Sequence, residues 1–265
     1  MGNQHIKGRN GYIISPATTL PTLAIPNGSL ATTATFLMVG NTGTQVISDI
    51  GGNAITITKN GASVVSTSTV VPYTGTTSVY LPNASNYLSF TANIFAVGTG
   101  DFTIEMWVRV TALSSSANEL FDLTPGGGRQ FGYMLSVSPT GVLQLYHNGA
   151  YQISSSASAI AINTWYHIAI VRLNGLLSMY ISGSRVAQSY SMVFSNITAT
   201  IVNMGRDSGA AGNNAYGGQC YISNLRFARQ ALYNGTTLTI PTADLTVPTS
   251  GINWTSTDYG VWRLK

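Results

Sequence analysis

Thr164-Trp165-Tyr166-His167-Ile168-Ala169-Ile170-Val171-Arg172-Leu173-Asn174-Gly175-Leu176-Leu177-Ser178-Met179-Tyr180-Ile181-Ser182 is the stretch whose reading decides the fold. Trp165, His167, Ala169 and Val171 alternate with Tyr166, Ile168, Ile170 and Arg172, the period of two of a β-strand. Asn174-Gly175 then breaks the run, and a second β-rich run follows. Asn-Gly supplies the positive φ angles of a type I′ turn, whose twist matches that of the strands it joins. The stretch therefore predicts a β-hairpin. Apolar residues lie on both faces, which places it in the middle of a sandwich rather than at an exposed edge.

Outward from this hairpin the same pattern repeats. Thr35 to Val39, Asn53 to Thr58, Ala62 to Ser66, Val79 to Leu81 and Asn86 to Phe90 read as strands before it. Phe102 to Val110 follows, with Phe102, Ile104, Met106 and Val108 able to line one face. Glu119 to Leu123 and Phe131 to Val137 flank Pro125-Gly126-Gly127-Gly128, and Asn148-Gly149 turns Val142–His147 into Tyr151–Ile153. Ile197 to Met204, a Gly- and Asn-rich loop from Gly205 to Gly218, and Cys220 to Ala228 complete the series. The nearest approach to a helical period is Asn224 to Leu232, enough for one short turn. Many strands separated by turn signals, with no alternating helices, predict an all-β, two-sheet antiparallel jelly-roll sandwich.

Both ends depart from the pattern. Residues 1–33 carry Pro16, Pro21 and Pro26 without sustained alternation, which reads as an extended N-terminal arm or a loose leader. Lys7, Arg9 and Tyr12 are its candidate partner-docking residues. Residues 250–265 form an aromatic and basic tail, with Trp254, Trp262 and Arg263 suited either to covering a sheet edge or to docking on a neighbour. The sandwich itself is expected over residues 34–249.

Charged residues make up 8% of the 265-residue chain, against about 25% in ordinary globular proteins, and hydrophobic residues 44%. A surface of Gly, Ser, Thr and Asn repels its own kind weakly and suits dense assembly, a homo-oligomer included. The formal charge of +4 comes from 12 scattered Lys and Arg, not from the clustered cations that phosphate backbones require, so nucleic acid is not an expected partner. Cys220 is the only cysteine, so no intrachain disulfide forms. The N-terminus lacks the apolar core of a signal peptide, Ile6 stands where myristoylation wants Ser or Thr, and no apolar run approaches the about 18 residues of a membrane span. Membrane insertion is not expected.

A family resemblance rests on Asn86-Tyr87-Leu88-Ser89-Phe90, Gly98-Thr99-Gly100-Asp101-Phe102-Thr103-Ile104-Glu105-Met106-Trp107-Val108, Thr164 to Ala169, Gly217 to Arg226 and Ala231-Leu232-Tyr233. Their order and spacing resemble the concanavalin A-like, laminin-G-type jelly roll. Ile240-Pro241-Thr242 and Val247-Pro248-Thr249 are similar to the closing segment of versions found in tailed-phage virion proteins. In such a fold Trp107, Trp165 and Tyr166 are expected to anchor the core between the sheets. Asp101 is expected to tie down the turn before its own strand.

The resemblance implies a check for hydrolase chemistry. Retaining glycosidases need two carboxyls about 5–5.5 Å apart. The hydrolase branch carries them as Glu-x-Asp-x-x-Glu, whereas here Glu119-Leu120-Phe121-Asp122 has an odd offset that points the pair to opposite faces of a regular strand. Glu105 stands alone between Ile104 and Met106. His5, His147 and His167 are far apart in sequence, and His167 is expected to pack with its ring nitrogens satisfied. No catalytic residues are assigned and no enzyme is expected.

Laminin-G-type and lectin relatives bind Ca²⁺ or sugar at rim loops, which singles out Asp207, Asn213, Asn214 and Tyr216 in one loop and Asp122 and Arg129 beside the triple glycine of another. One carboxylate per loop is thin for calcium, which wants six to eight oxygens, so no cofactor is assigned and Ca²⁺ is kept as a minor alternative. Two functions are expected from the sequence. The first is a phage virion structural protein, assembled in the host cytoplasm among other virion proteins and displayed as a head decoration or fibre through its N-terminal arm. The alternative is a glycan-binding, lectin-like module that attaches to host surface glycans.

Overall fold

The computed structural model describes residues 35–40, 47–49, 55–124, 131–193, 195–207 and 217–245, the first two segments as backbone. The arm residues Lys7, Arg9 and Tyr12, the tail residues Trp254, Trp262 and Arg263, and the loop residues Arg129, Asn213, Asn214 and Tyr216 lie outside the described residues.

Sixteen strands are present among the described residues. They are β1 (Thr35–Gly40), β2 (Ile47–Asp49), β3 (Thr58–Asn60), β4 (Val65–Thr67), β5 (Ser78–Leu81), β6 (Tyr87–Thr91), β7 (Phe102–Val110) and β8 (Asn118–Leu123). β9 (Tyr133–Val137), β10 (Leu143–His147), β11 (Ala150–Ser154), β12 (Tyr166–Leu173), β13 (Leu176–Ile181), β14 (Ser184–Ser189), β15 (Ile201–Met204) and β16 (Cys220–Ala228) complete the set. A 3-10 turn at Asn93–Phe95 is the one helical element among the described residues. The first sheet runs β14-β13-β12-β7-β16-β1-β2, with β5 also paired to β16 and β4 to β5; the second runs β11-β10-β9-β8-β15-β6-β3. Every pairing is antiparallel, as in a jelly-roll sandwich.

The hairpin is where its sequence puts it. Asn174 and Gly175 adopt φ 50° and 81°, as the type I′ turn requires, and β12 pairs with β13 from Ile168↔Ile181 to Leu173↔Leu176. On its other side β12 pairs with β7, so Ile168 and Ile170 stand beside Met106 and Ile104. These join Phe102, Val108, Leu135, Leu143 and their neighbours in one continuous core between the sheets. Each such fully buried side chain contributes about 1.5–3 kcal/mol, so this layer dominates stability.

The opposite face of the first sheet is also covered. Residues 229–238 cross it as a strap: Leu232 N–H donates to Thr103 Oγ1 at 2.9 Å, Tyr180 O–H to the Gly235 carbonyl at 2.8 Å and Leu238 N–H to the Gly183 carbonyl at 2.8 Å. Beneath the strap Ala169, Val171, Tyr180 and Ala231 form a second, smaller apolar cluster. The apolar residues on both faces of the hairpin are thereby explained.

Several expectations are corrected. Asn224 to Leu232 forms no helical turn: residues 220–228 are strand, bulged between Ser223 and Arg226, with Asn224 at φ 51°. Trp107 and Trp165 are not core anchors. Trp107 is half-buried on the strap side against Tyr73 and His167, and Trp165 lies beside Tyr221. Tyr166 does pack against the main core. Asn60-Gly61, whose Asn-Gly pair predicts a turn joining Asn53–Thr58 to Ala62–Ser66 as a hairpin, does not close one, because β3 pairs with β6 in one sheet and β4 with β5 in the other. Asp101 Oδ1 accepts from the Asn174 N–H at 2.8 Å, so it ties the start of β7 to the distant hairpin turn. β14 has no counterpart among the strands read from the sequence; its alternation of exposed and half-buried residues is that of an edge strand.

Candidate ligand-binding groove at the end of the sandwich

One end of the sandwich is built by three crossings. β8 runs out through Thr124, and the chain returns at Phe131, whose carbonyl accepts from Thr198 N–H at 2.9 Å and Ala199 N–H at 3.1 Å. Gly98 and Ile197 exchange two backbone hydrogen bonds of 2.8 and 2.9 Å. Arg172, alternating with Ile168 and Ile170 on the core side of β12, closes this end from within. It is completely buried, and its guanidinium donates to the carbonyls of Gly98 (2.8 Å), Gly100 (2.8 Å from Nε, and again from Nη2) and Ser195 (3.0 Å) while lying 5.1 Å over the Phe102 ring. A buried cation satisfied in this way fixes three loop carbonyls at once.

Between these crossings a groove of about 560 Å³ is lined by Phe131, His147, Asn148, Tyr190, Ser191, Val193, Ser195, Asn196 and Thr198. Phe131 is 45% and Tyr190 65% exposed, so two aromatic rings reach solvent beside amides, hydroxyls and an imidazole. His147 is the last residue of β10, on the inward side with Leu143 and Leu145, and is buried. Its Nδ1 lies 2.6 Å from the Gly132 carbonyl. Burial pushes the His147 pKa below its ordinary value; the Gly132 hydrogen bond opposes this, and the charge of Arg172 adds to it. A larger hollow of about 760 Å³ lies at the β3–β6–β15 side, lined by Thr58, Ser89, Thr91, Asn93, Ile201 and Arg229 among others, but no exposed aromatic ring lines it.

Of the rim-loop residues singled out from sequence, Asp122 and Asp207 lie within the described residues. Asp122 is fully buried within β8, opposite Asn203 of β15, and accepts from Thr124 Oγ1 at 2.6 Å. Asp207 is buried as well, so neither carboxylate projects from a rim. The loops 124–130 and 205–218 also leave opposite ends of β15. Phe131 holds residues 198–199 before that strand, whereas the 205–218 loop follows it and is closed by the Gly218 N–H to Gly205 carbonyl bond of 2.9 Å. The four residues of β15, about 13 Å of strand, separate the two described bases.

A second correction concerns Glu119 and Asp122. The register of β8 shifts between Glu119 and Phe121, setting Glu119 opposite Ser136 and Asp122 opposite Met134. Leu120 and Phe121 both enter the core, so the bulge returns the two carboxylates to the same face. Both are buried there. Among the described residues no three His, Cys, Asp or Glu side chains gather as metal ligands.

Glu105, read as isolated, is at the centre of a charged cluster under the strap. Its Oε1 accepts from Arg226 Nε at 2.7 Å, and its Oε2 accepts from Tyr233 O–H at 2.8 Å and contacts His167 Nε2 at 3.2 Å. Burial would raise this carboxyl, but the His167 contact, the Arg226 charge and the Tyr233 hydrogen bond outweigh it and hold it below its ordinary value. His167 packs as expected, but its Nδ1 finds no partner among the described residues. Period-two alternation already put Glu105 on the Trp107 face; its partners come from β12, β16 and the strap, which only pairing brings together.

No curated protein matches the sequence. The fold is similar to that of the binding domain of Paraclostridial Mosquitocidal Protein 1 (TM-score 0.58, 16% identity, 77% of this chain and 51% of that one). It is also similar to the binding domain of botulinum neurotoxin DC in complex with SialylT (TM-score 0.56, 13% identity, 77% and 50%). A third is a structure from work on botulinum neurotoxin type C, whose cell entry depends on two ganglioside molecules (TM-score 0.56, 14% identity, 76% and 49%). The chain spans about half the length of these structures. A laminin-G-type family profile, described as the concanavalin A-like lectin/glucanases superfamily, matches residues 75–234. With that match running from just before β5 into the strap, and the two-sheet jelly roll around it, the chain belongs to the concanavalin A-like lectin/glucanases superfamily.

Proposed function

We propose that this protein is a glycan-binding module that works by binding rather than catalysis, with the Phe131–Tyr190 groove as its site. The observation that carries the reading is the pairing of two exposed rings with hydrogen-bonding side chains in one concave surface. A sugar ring has an apolar face that packs on an aromatic ring and a rim of hydroxyls that amides and imidazoles can hold. The ganglioside interaction and the SialylT complex belong to those similar proteins and support the same class of ligand here. Glu119 and Asp122, the carboxylates that share a face, are both buried, which favours binding over hydrolysis.

The test is an oligosaccharide array with the full chain, followed by calorimetric titration of the strongest hit. Phe131→Ala and Tyr190→Ala should each weaken binding about tenfold, about 1.4 kcal/mol, with an unchanged melting temperature because both rings are exposed. An array with no hits overturns the reading. The virion setting is a separate proposal, supported by the resemblance of residues 240–249 to phage virion segments. Immunogold labelling of purified particles tests it, and particles without label overturn it.

A further inference from the structure

We propose that the saccharide in this groove donates a hydrogen bond to Nε2 of His147, making His147 the residue that selects the ligand's donor group and makes binding acid-sensitive. The inference rests on the glycan reading of the groove and goes one step further, to the chemistry at one atom.

The Gly132 carbonyl, 2.6 Å from Nδ1, can only accept, so Nδ1 carries the hydrogen. In a neutral imidazole Nε2 then carries a lone pair and can only accept. No hydrogen bond to Nε2 forms among the described residues, and it is not among their buried, unpartnered polar atoms, so it keeps some access to solvent on a residue that lines the groove. Any group that fills the groove must satisfy that lone pair or leave it dry, and a hydroxyl or amide N–H does so.

The surroundings keep the ring neutral. Arg172 is the charged group acting on His147 among the described residues, and it is a fully buried cation. Tyr190 supplies the one phenol of the lining, and the other lining side chains are amides, hydroxyls and apolar groups. Burial and the Arg172 charge both disfavour a second cation here. Protonation would turn Nε2 from acceptor into donor, so proton and ligand compete for the same lone pair. By linkage, affinity is full while the ring is neutral and falls as the pH drops below the imidazole's depressed pKa.

Two substitutions separate the ring's two roles. His147→Asn keeps a donor where Nδ1 meets Gly132 and removes the acceptor; His147→Gln places an uncharged acceptor near Nε2. The full chain is titrated with lactose, N-acetyllactosamine and 3′-sialyllactose at pH 7.5 and 4.5, with calorimetric melting to verify folding at each pH. The expected result is at least fivefold weaker binding by the wild type at pH 4.5. His147→Asn should bind at least tenfold more weakly at pH 7.5, and His147→Gln should recover most of that loss without the pH dependence. Equal wild-type affinity at the two pH values, or wild-type affinity in His147→Asn, overturns the inference and leaves the glycan reading standing. Failure of all three sugars to bind the wild type at pH 7.5 counts instead against the glycan reading itself.

Discussion

Glu105 is fully buried yet ionised, because Arg226, Tyr233 and His167 surround its two oxygens. Removing one partner of such a cluster leaves an uncompensated charge, which costs far more than the cluster contributes. Glu105→Ala should therefore lower stability by about 3–5 kcal/mol in chemical denaturation. The cluster also sets a pH window. Because the folded carboxyl titrates below its ordinary value of 4.5, its stabilisation is complete above that value and is lost as the pH falls further. The melting temperature of the wild type should drop below about pH 4.5, more steeply than that of Glu105→Gln. Cys220 is the opposite case: burial alone pushes its thiol up to about 12, so it stays protonated. A thiol reagent at pH 8 should label it only after denaturant is added, and labelling of the native chain would contradict its placement in the core.

At the scale of elements, the β12–β13 hairpin is held by its turn as much as by its ladder. A Cβ on Gly175 would lie 2.6 Å from the Val193 Cα, at a φ of 81° that L-residues rarely adopt. Gly175→Ala should cost about 1–3 kcal/mol and disturb Val193, which lines the groove with Tyr190 and Ser191. The strap is the second decisive element. It buries Tyr180, Ala169 and Val171, and its Tyr233 reaches Glu105. A chain ending at residue 228 should bind a hydrophobic dye and melt well below the full chain, whereas equal melting temperatures would show the strap to be dispensable.

The whole molecule is knitted by strands distant in sequence. β16 lies between β7 on one side and β1 and β5 on the other, joining Thr35↔Ala228 and Cys220↔Leu81. Removing residues 220–228 would open the first sheet at its centre, and such a chain should show no cooperative unfolding transition. Contacts of this separation must close long loops before they stabilise anything. Refolding should accordingly fall in the millisecond-to-second range typical of all-β domains rather than the microsecond range of helical bundles, which stopped-flow fluorescence would measure.

How much was legible in the chain follows from which interactions are local. The alternation in residues 164–182, the Asn174-Gly175 turn and the order of the family motifs depend on neighbours in sequence, so they determined the strands, the hairpin and the sandwich. The bulge that puts Glu119 and Asp122 on one face depends on the register against β9, which single-strand alternation cannot express. The same holds for Glu105, whose partners arrive from residues 167, 226 and 233, and for the Phe131–His147–Tyr190 groove, gathered from the end of β10 and two loops. Local periodicity sets which residues face inward; only the closing of long loops sets which inward and rim residues meet, and the candidate site is made of such meetings.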